Sequence, residues 1–268
     1  MADISNSTSD TLVSGTSGND SIYNYYWNSQ ATINSGAGDD EIYNSGTQVS
    51  IDAGAGDDFI SNGNYGDNVS ISGGSGNDSI YNSGTQVTIN SGDGHDSIYN
   101  WNSQITINSG DGDDSIYNDG SQVTINAGDG DDYIRNFGTQ VTINAGDGDD
   151  SIFAAGSEQL IQYTNGDGND TIYGYDETDT IKITDGSSYT TQVSGNDVIV
   201  NVGGGSMRLI DVKDKTLNIV NHQAVNDTPT GGNGGTNTQP SVGKSDTPTG
   251  SQRTASPTST TTDALTYN

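Results

Sequence analysis

SGDGDDSIYNDGSQVTIN, from Ser109 to Asn126, runs without a break into AGDGDDYIRNFGTQVTIN, from Ala127 to Asn144. Each stretch is an acidic glycine turn, a short apolar stretch centred on isoleucine, a turn of Asn, Gly and Gln, and a second β-branched stretch. Moving outward in both directions, the second glycine of the acidic turn recurs at Gly18, Gly38, Gly56, Gly76, Gly94, Gly112, Gly130, Gly148 and Gly168. The intervals are 20, 18, 20, 18, 18, 18, 18 and 20 residues, a fixed period that defines a repeat architecture. Isoleucines hold one place in every unit, at Ile22, Ile42, Ile60, Ile80, Ile98, Ile116, Ile134, Ile152 and Ile172. The second half-unit alternates apolar and polar residues, as in Val87/Ile89, Ile105/Ile107, Val123/Ile125 and Val141/Ile143. No window carries the 3.6-residue period of a helix. Turn, strand, turn, strand at fixed spacing predicts an all-β solenoid whose coils stack about 4.8 Å apart, nine of them spanning roughly 43 Å. One coil cannot bury its apolar spine alone, so stability must come from its neighbours.

The composition excludes an ordinary globular core. Of 268 residues only 28% are hydrophobic, 38 are glycine, and the net charge is −29. Acidity comes almost wholly from aspartate, 33 Asp against 3 Glu, which points to turns, caps or calcium ligands. Residues 1–181 carry 26 Asp and 3 Glu against the single base Arg135, whereas residues 182–268 are nearly balanced. Such a field repels phosphate, so no nucleic-acid partner is expected. There is no apolar run long enough for a membrane span and no cysteine for a disulfide or thiolate site. The start, MADISNSTSD, has neither a basic segment nor an apolar one, so no conventional signal peptide is expected.

Stacking in register creates an electrostatic problem. Asp20, Asp40, Asp58, Asp78, Asp96, Asp114, Asp132, Asp150 and Asp170 hold the same place in successive units and should line one edge. Two carboxylates about 5 Å apart repel by about 0.8 kcal/mol even in water. Neighbouring acids, among them Asp39, Asp57, Asp113, Asp131 and Asp149, add to the load. A column of hard divalent cations would relieve it. Carboxylates and glycine-turn carbonyls suit Ca²⁺, which accepts six to eight oxygens in flexible geometry. Zinc prefers nitrogen and sulfur, and His95 and His222 are the only imidazoles.

The half-units GGSGNDSIY (Gly73 to Tyr81), SGDGDDSIY (Ser109 to Tyr117) and NGDGNDTIY (Asn165 to Tyr173) resemble the RTX, or haemolysin-type, calcium-binding nonapeptide G-G-x-G-x-D-x-U-x. The likeness spans about residues 15–183. It implies a right-handed parallel β-roll in which six residues turn and bind Ca²⁺ and three form a strand. It also implies a bacterial protein, secreted or on the cell surface, exported by the type I pathway. Two departures shape the expectation. The alternate half-unit reads NSGTQ or NDGSQ without the ligand aspartate, so one column of about eight ions is expected. Its edge should instead be held by ladders of Asn82, Asn100, Asn118 and Asn136 and of Gln86, Gln104, Gln122 and Gln140. The first glycine is also often replaced, as at Ser35, Ala53, Ala127 and Ala145, which is tolerable only where φ is negative.

The expected organisation is a lead-in over 1–14, the β-roll over 15–183, a C-terminal β-hairpin cap over 184–226, and a Thr/Gly/Ser/Pro-rich disordered linker or tail over 227–268. Enzyme motifs such as HExxH and GxSxG are absent, and identically repeated aspartates lack the differing environments of a catalytic pair. The expected function is calcium binding by a non-catalytic module that folds on Ca²⁺ outside the cell. The alternative is an adhesin or glycan-binding rod, with Tyr43, Tyr81, Tyr99, Tyr117, Phe153 and Tyr173 as an aromatic face. Thr88, Thr106, Thr124 and Thr142 form an opposite row, suited less well to ice. For the tyrosines the competing reading is a stacking ladder that stabilises the sheet.

Overall fold

The computed structural model describes residues 2–221. The expected tail over 227–268 lies outside the described residues. All regular structure within them is β. Successive half-units alternate between two parallel sheets. The first runs through Asp3–Asn6, Ser21–Asn24, Glu41–Asn44 and so on to Asn169–Tyr173. The second runs from Leu12–Ser14 through Thr32–Ala37 to Thr180–Ile183. Each residue pairs with its counterpart one unit on, for example Ile98 with Ile116 and Ile107 with Ile125. The β-solenoid inferred from the period is therefore the fold. The stretch read from sequence as a lead-in supplies strands Asp3–Asn6 and Leu12–Ser14, which pair onto the first glycine-turn unit and bring the stack to ten coils.

Period-two alternation decides what lies inside. In the second sheet Val123, Ile125 and Ala127 face inward, all buried, with Thr124 and Asn126 outward. In the first sheet Asp114, Ile116 and Asn118 face inward, while Ser115 and Tyr117 face out. The core is thus an isoleucine spine flanked by an aspartate column from Asp20 to Asp170 and an asparagine column from Asn6 to Asn136.

The acidic turn is tighter than the nonapeptide resemblance implies. Its first three residues belong to the second-sheet strand, so Gly110 pairs with Gly128 and Asp111 with Asp129, and only Gly112–Asp114 make the corner. Close approach explains the glycines. Gly128 has φ +123, and a Cβ there would meet the Gly110 carbonyl oxygen, as one at Gly130 would meet that of Gly112. The first position of the motif has no positive φ, so Ser35, Ala53, Ala127 and Ala145 replace glycine without strain.

At the far end Tyr189–Ser194, Asp197–Val202 and Gly205–Leu209 form an antiparallel meander that continues the first sheet, as the expected hairpin cap. Ile219–Asn221 then extends the second sheet. Tyr163 and Tyr175, both fully buried, fill the last coils; the Tyr163 hydroxyl donates to Gly168 O at 2.5 Å and that of Tyr175 to Asp179 O at 3.3 Å.

Candidate functional site: the acidic corner

All nine sequence-nominated aspartates fall in one column, but not on an exposed edge. Asp20, Asp40, Asp58, Asp78, Asp96, Asp114, Asp132, Asp150 and Asp170 are buried, none more than 4% exposed. The signal for this was in the sequence: each aspartate sits two residues before the buried isoleucine and so shares its face.

One oxygen of each carboxylate is committed to the backbone. The Asp96 N–H donates to Asp114 Oδ1 at 2.8 Å, Asp114 N–H to Asp132 Oδ1 at 2.8 Å and Asp132 N–H to Asp150 Oδ1 at 2.7 Å. The same bond links each remaining pair from Asp20 to Asp170. These side chains carry the interstrand ladder around the bend, where backbone carbonyls no longer face the N–H groups. The second oxygen has no partner. Oδ2 of Asp40, Asp58, Asp78, Asp96, Asp114, Asp132 and Asp150 is buried and accepts no hydrogen bond.

Burial without partners pushes these carboxyls upward. Desolvation raises Asp132 and Asp170 to about 8, Asp78 and Asp150 to about 7, and Asp58 and Asp114 to about 6. Like-charge neighbours along the column add to the shift and the backbone N–H bonds oppose it. Asp40 and Asp96 move the same way. Ser91 and Ser109 stand beside Asp96 and Asp114 and moderate the shift, although the Ser109 hydroxyl itself donates to Ala127 O at 2.9 Å.

The first acidic corner is different. Asp20 Oδ1 takes the Ala2 N–H at 2.7 Å, and Oδ2 takes both the Thr16 N–H at 2.6 Å and its hydroxyl at 2.9 Å. The Ala2 N–H bond, with those from Thr16, holds this carboxyl below its usual range. Thr16 occupies the place of the φ-positive glycine, and this corner is complete without any ligand.

Outside the column the fifth motif position forms an exposed second ladder of opposite sense. Asp131 N–H donates to Asp113 Oδ1 at 2.9 Å and Asp149 N–H to Asp131 Oδ1 at 2.8 Å. His95 substitutes in this row as an acceptor, its Nδ1 taking the Asp113 N–H at 2.8 Å, which makes it an aspartate surrogate.

The donor set suits a hard cation. It consists of oxygen alone, with one orphaned carboxylate oxygen per interior coil and the glycine carbonyls of the corner close by. Among the described residues no three carboxylate or imidazole side chains converge on a point. An ion here would therefore take one or two carboxylates and complete its shell from carbonyls.

The opposite corner was half foreseen. The asparagines form a buried ladder longer than expected: each side-chain amide donates to the next Oδ1 from Asn6 through Asn24, Asn44, Asn62, Asn82, Asn100 and Asn118 to Asn136, at 2.6–2.9 Å. Gln159 ends the row, accepting from Asn136 at 2.9 Å. The glutamines correct the expectation. Gln86, Gln104, Gln122 and Gln140 are not a ladder of amides; they hold the corner residue with positive φ, 56 to 65°, and their side chains lie in or near solvent. Of these four, only Gln140 bonds sideways, to Glu158 at 3.0 Å.

The outward tyrosines form a self-stacked spine. Tyr81, Tyr99 and Tyr117 lie 4.8 Å apart and within 3° of parallel. Where Ser61 and Arg135 interrupt the tyrosine position, Phe59 and Tyr133, two residues earlier, supply the ring, so the row continues unbroken from Tyr23 to Tyr173. The Thr88, Thr106, Thr124 and Thr142 row is in register on the second sheet.

No family model and no curated protein matches the chain. Among solved structures it is similar to the crystal structure of the extracellular lipase LipA from Serratia marcescens, at 16% identity and a TM-score of 0.33. The match covers 78% of this chain and 40% of that one, so the chain spans less than half of that lipase's length. No helix among the described residues is long and apolar enough to cross a membrane.

Proposed function

We propose that the acidic corner binds Ca²⁺, one ion for each interior coil, and that this single column completes the fold of a non-catalytic rod outside the cell. The observation that carries the reading is the set of seven buried aspartate oxygens with no hydrogen-bond partner. A buried carboxylate left unpaired costs several kcal/mol. Calcium supplies two positive charges and a flexible shell of oxygen contacts. The chain's own part is to hold Asp Oδ1 on a backbone N–H, so that Oδ2 is fixed in place, and to keep water out with the isoleucine spine.

Magnitudes favour a calcium-rich setting. If each site had a Kd of roughly 0.1 mM, millimolar calcium would add about 1.4 kcal/mol per site. Seven such sites give about 10 kcal/mol, as much as the net stability of a whole domain. At sub-micromolar calcium that contribution vanishes, which supports a secreted or surface location.

The deciding test is far-UV circular dichroism of the full chain during a calcium titration, with magnesium as the control. A cooperative gain of β structure with calcium alone is the expected result. Full β structure in chelator at pH 8, or disorder persisting at tens of millimolar calcium, would overturn the reading.

A further inference from the structure

In the row of residues that follow the buried asparagines, three successive coils depart from the small side chains found at Ser45, Gly63, Ser83 and Ala155. They carry Trp101, Asp119 and Phe137. The three are in register, Asp119 N–H bonding Asn100 O at 2.9 Å and Phe137 N–H bonding Asn118 O at 2.8 Å. Trp101 and Phe137 are each 48% exposed, and they stand two coils apart, about 9.6 Å, with only the short Asp119 between them. The indole stacks with both Tyr81 and Tyr99, 20° from the plane of each, and it lines one depression together with Phe137. The depression is shallow, about 210 Å³, with Tyr117 among its lining residues.

Arg135 completes it. This is the single base among the first 181 residues, and its guanidinium lies 4.7 Å from the centre of the Phe137 ring. It stands where other coils place a spine tyrosine, and Tyr133 restores the ring on the neighbouring position. The spine is thus preserved while one cation is delivered to the slot. Neither Arg135 nor Asp119 enters an ion pair among the described residues. The tyrosine spine itself is a poor platform, because Tyr81, Tyr99 and Tyr117 cover one another's faces.

We infer that the Trp101–Asp119–Phe137 slot binds one neutral pyranose ring of a glycan. A ring in van der Waals contact with two walls needs about 7–8 Å between them, which fits within the two-coil spacing of about 9.6 Å. Stacking on the indole suits the C–H face of a sugar, the carboxylate of Asp119 accepts from hydroxyls, and Arg135 donates to them. A net charge of −29 disfavours anionic sugars and phosphate. The slot needs only the folded rod and does not depend on which cation fills the acidic corner.

The test is NMR of the full chain in millimolar calcium. The two indole N–H signals are assigned with Trp27→Phe. Titrations use glucose, galactose and mannose, then soluble polymers of each, which separates free sugar from polymer as the ligand. Tyrosinamide serves as the aromatic control. Circular dichroism in the same buffer reports folding, so a calcium-dependent loss of structure reads on the acidic corner and not on the slot. Saturable movement of the Trp101 signal by a hexose or its polymer, weakened about tenfold or more in Trp101-retaining Asp119→Ala and Phe137→Ala, is expected. No movement in the folded protein, movement unchanged in both variants, or a response to tyrosinamide alone would overturn the assignment.

Discussion

The two inward polar columns of this rod differ by one chemical group and behave as opposites. On one side of the isoleucine spine the asparagine amide carries both a donor and an acceptor, so each side chain satisfies the next, and the row closes on itself at 2.6–2.9 Å. On the other side aspartate carries only acceptors. Its Oδ1 finds a backbone N–H, and its Oδ2 finds nothing in seven successive coils. Burial and register are shared, and the missing donor is the chemical difference. A stack of amides is complete as protein, whereas each interior carboxylate keeps one oxygen for the cation proposed above.

Removing that addition should break the comparison most severely. In chelator at pH 8 the acidic coils are expected to lose their β structure, with calcium restoring it and magnesium failing to; circular dichroism reads both. Acid is the next lever. Asp58, Asp78, Asp114, Asp132, Asp150 and Asp170 sit at about 6 to 8 in the folded chain, against about 4 when unfolded, so the folded state binds more protons across that window. Calcium-free stability should therefore fall as pH rises from about 4 to 8, and a chain melted in chelator at pH 8 should regain structure near pH 5. With calcium present the trend reverses, because ion and proton compete for Oδ2. Thermal melts at the two pH values, with and without calcium, check both signs.

Substitutions sharpen the contrast one rung at a time. Asn118→Asp places an acceptor where the amide donates to Asn136 and Gly120 O, and should cost about 3 kcal/mol with or without calcium in urea unfolding. Asp114→Asn should cost about 1.4 kcal/mol in millimolar calcium, through one lost ion, yet raise the melting temperature in chelator. The change of sign is the diagnostic feature. Tyr99→Ser removes three stacking contacts, with Tyr81, Trp101 and Tyr117, and should cost about 1 kcal/mol in either buffer.

Much of this was legible in the sequence because a fixed period leaves little freedom. The glycine intervals gave the coils and their register, and the repeated aspartate gave the column. The burial of the aspartate is less plain: the acidic hexapeptide reads as a turn with its aspartate at an edge, whereas its first three residues are strand. Alternation through Asp114, Ile116 and Asn118 places all three on one face, and the structure buries all three. The coil formed by Asp3–Asn6 and Leu12–Ser14 carries none of the motif glycines, so the glycine period does not mark it. Following the tyrosine position alone hid the spine's continuity, since Phe59 and Tyr133 occupy the position two residues earlier. The positive φ of Gln86 and its equivalents had no sequence cue, because glycine or asparagine is the usual residue there.

The asparagine row also has a direction. Every amide donates toward the C-terminal end, and the ends differ: Asn6 Oδ1 takes the Thr8 N–H at 3.1 Å and keeps open the place that a preceding amide fills at Asn44 or Asn82, while Gln159 receives the last asparagine donor. A parallel β stack is an invitation to endless polymerisation, since any coil can template another like it. Here the row starts on Asn6, whose acceptor still has room for a donor, and finishes on Gln159, one methylene longer and with its own Nε2 unpaired, so the two ends of the ladder do not match one another in shape.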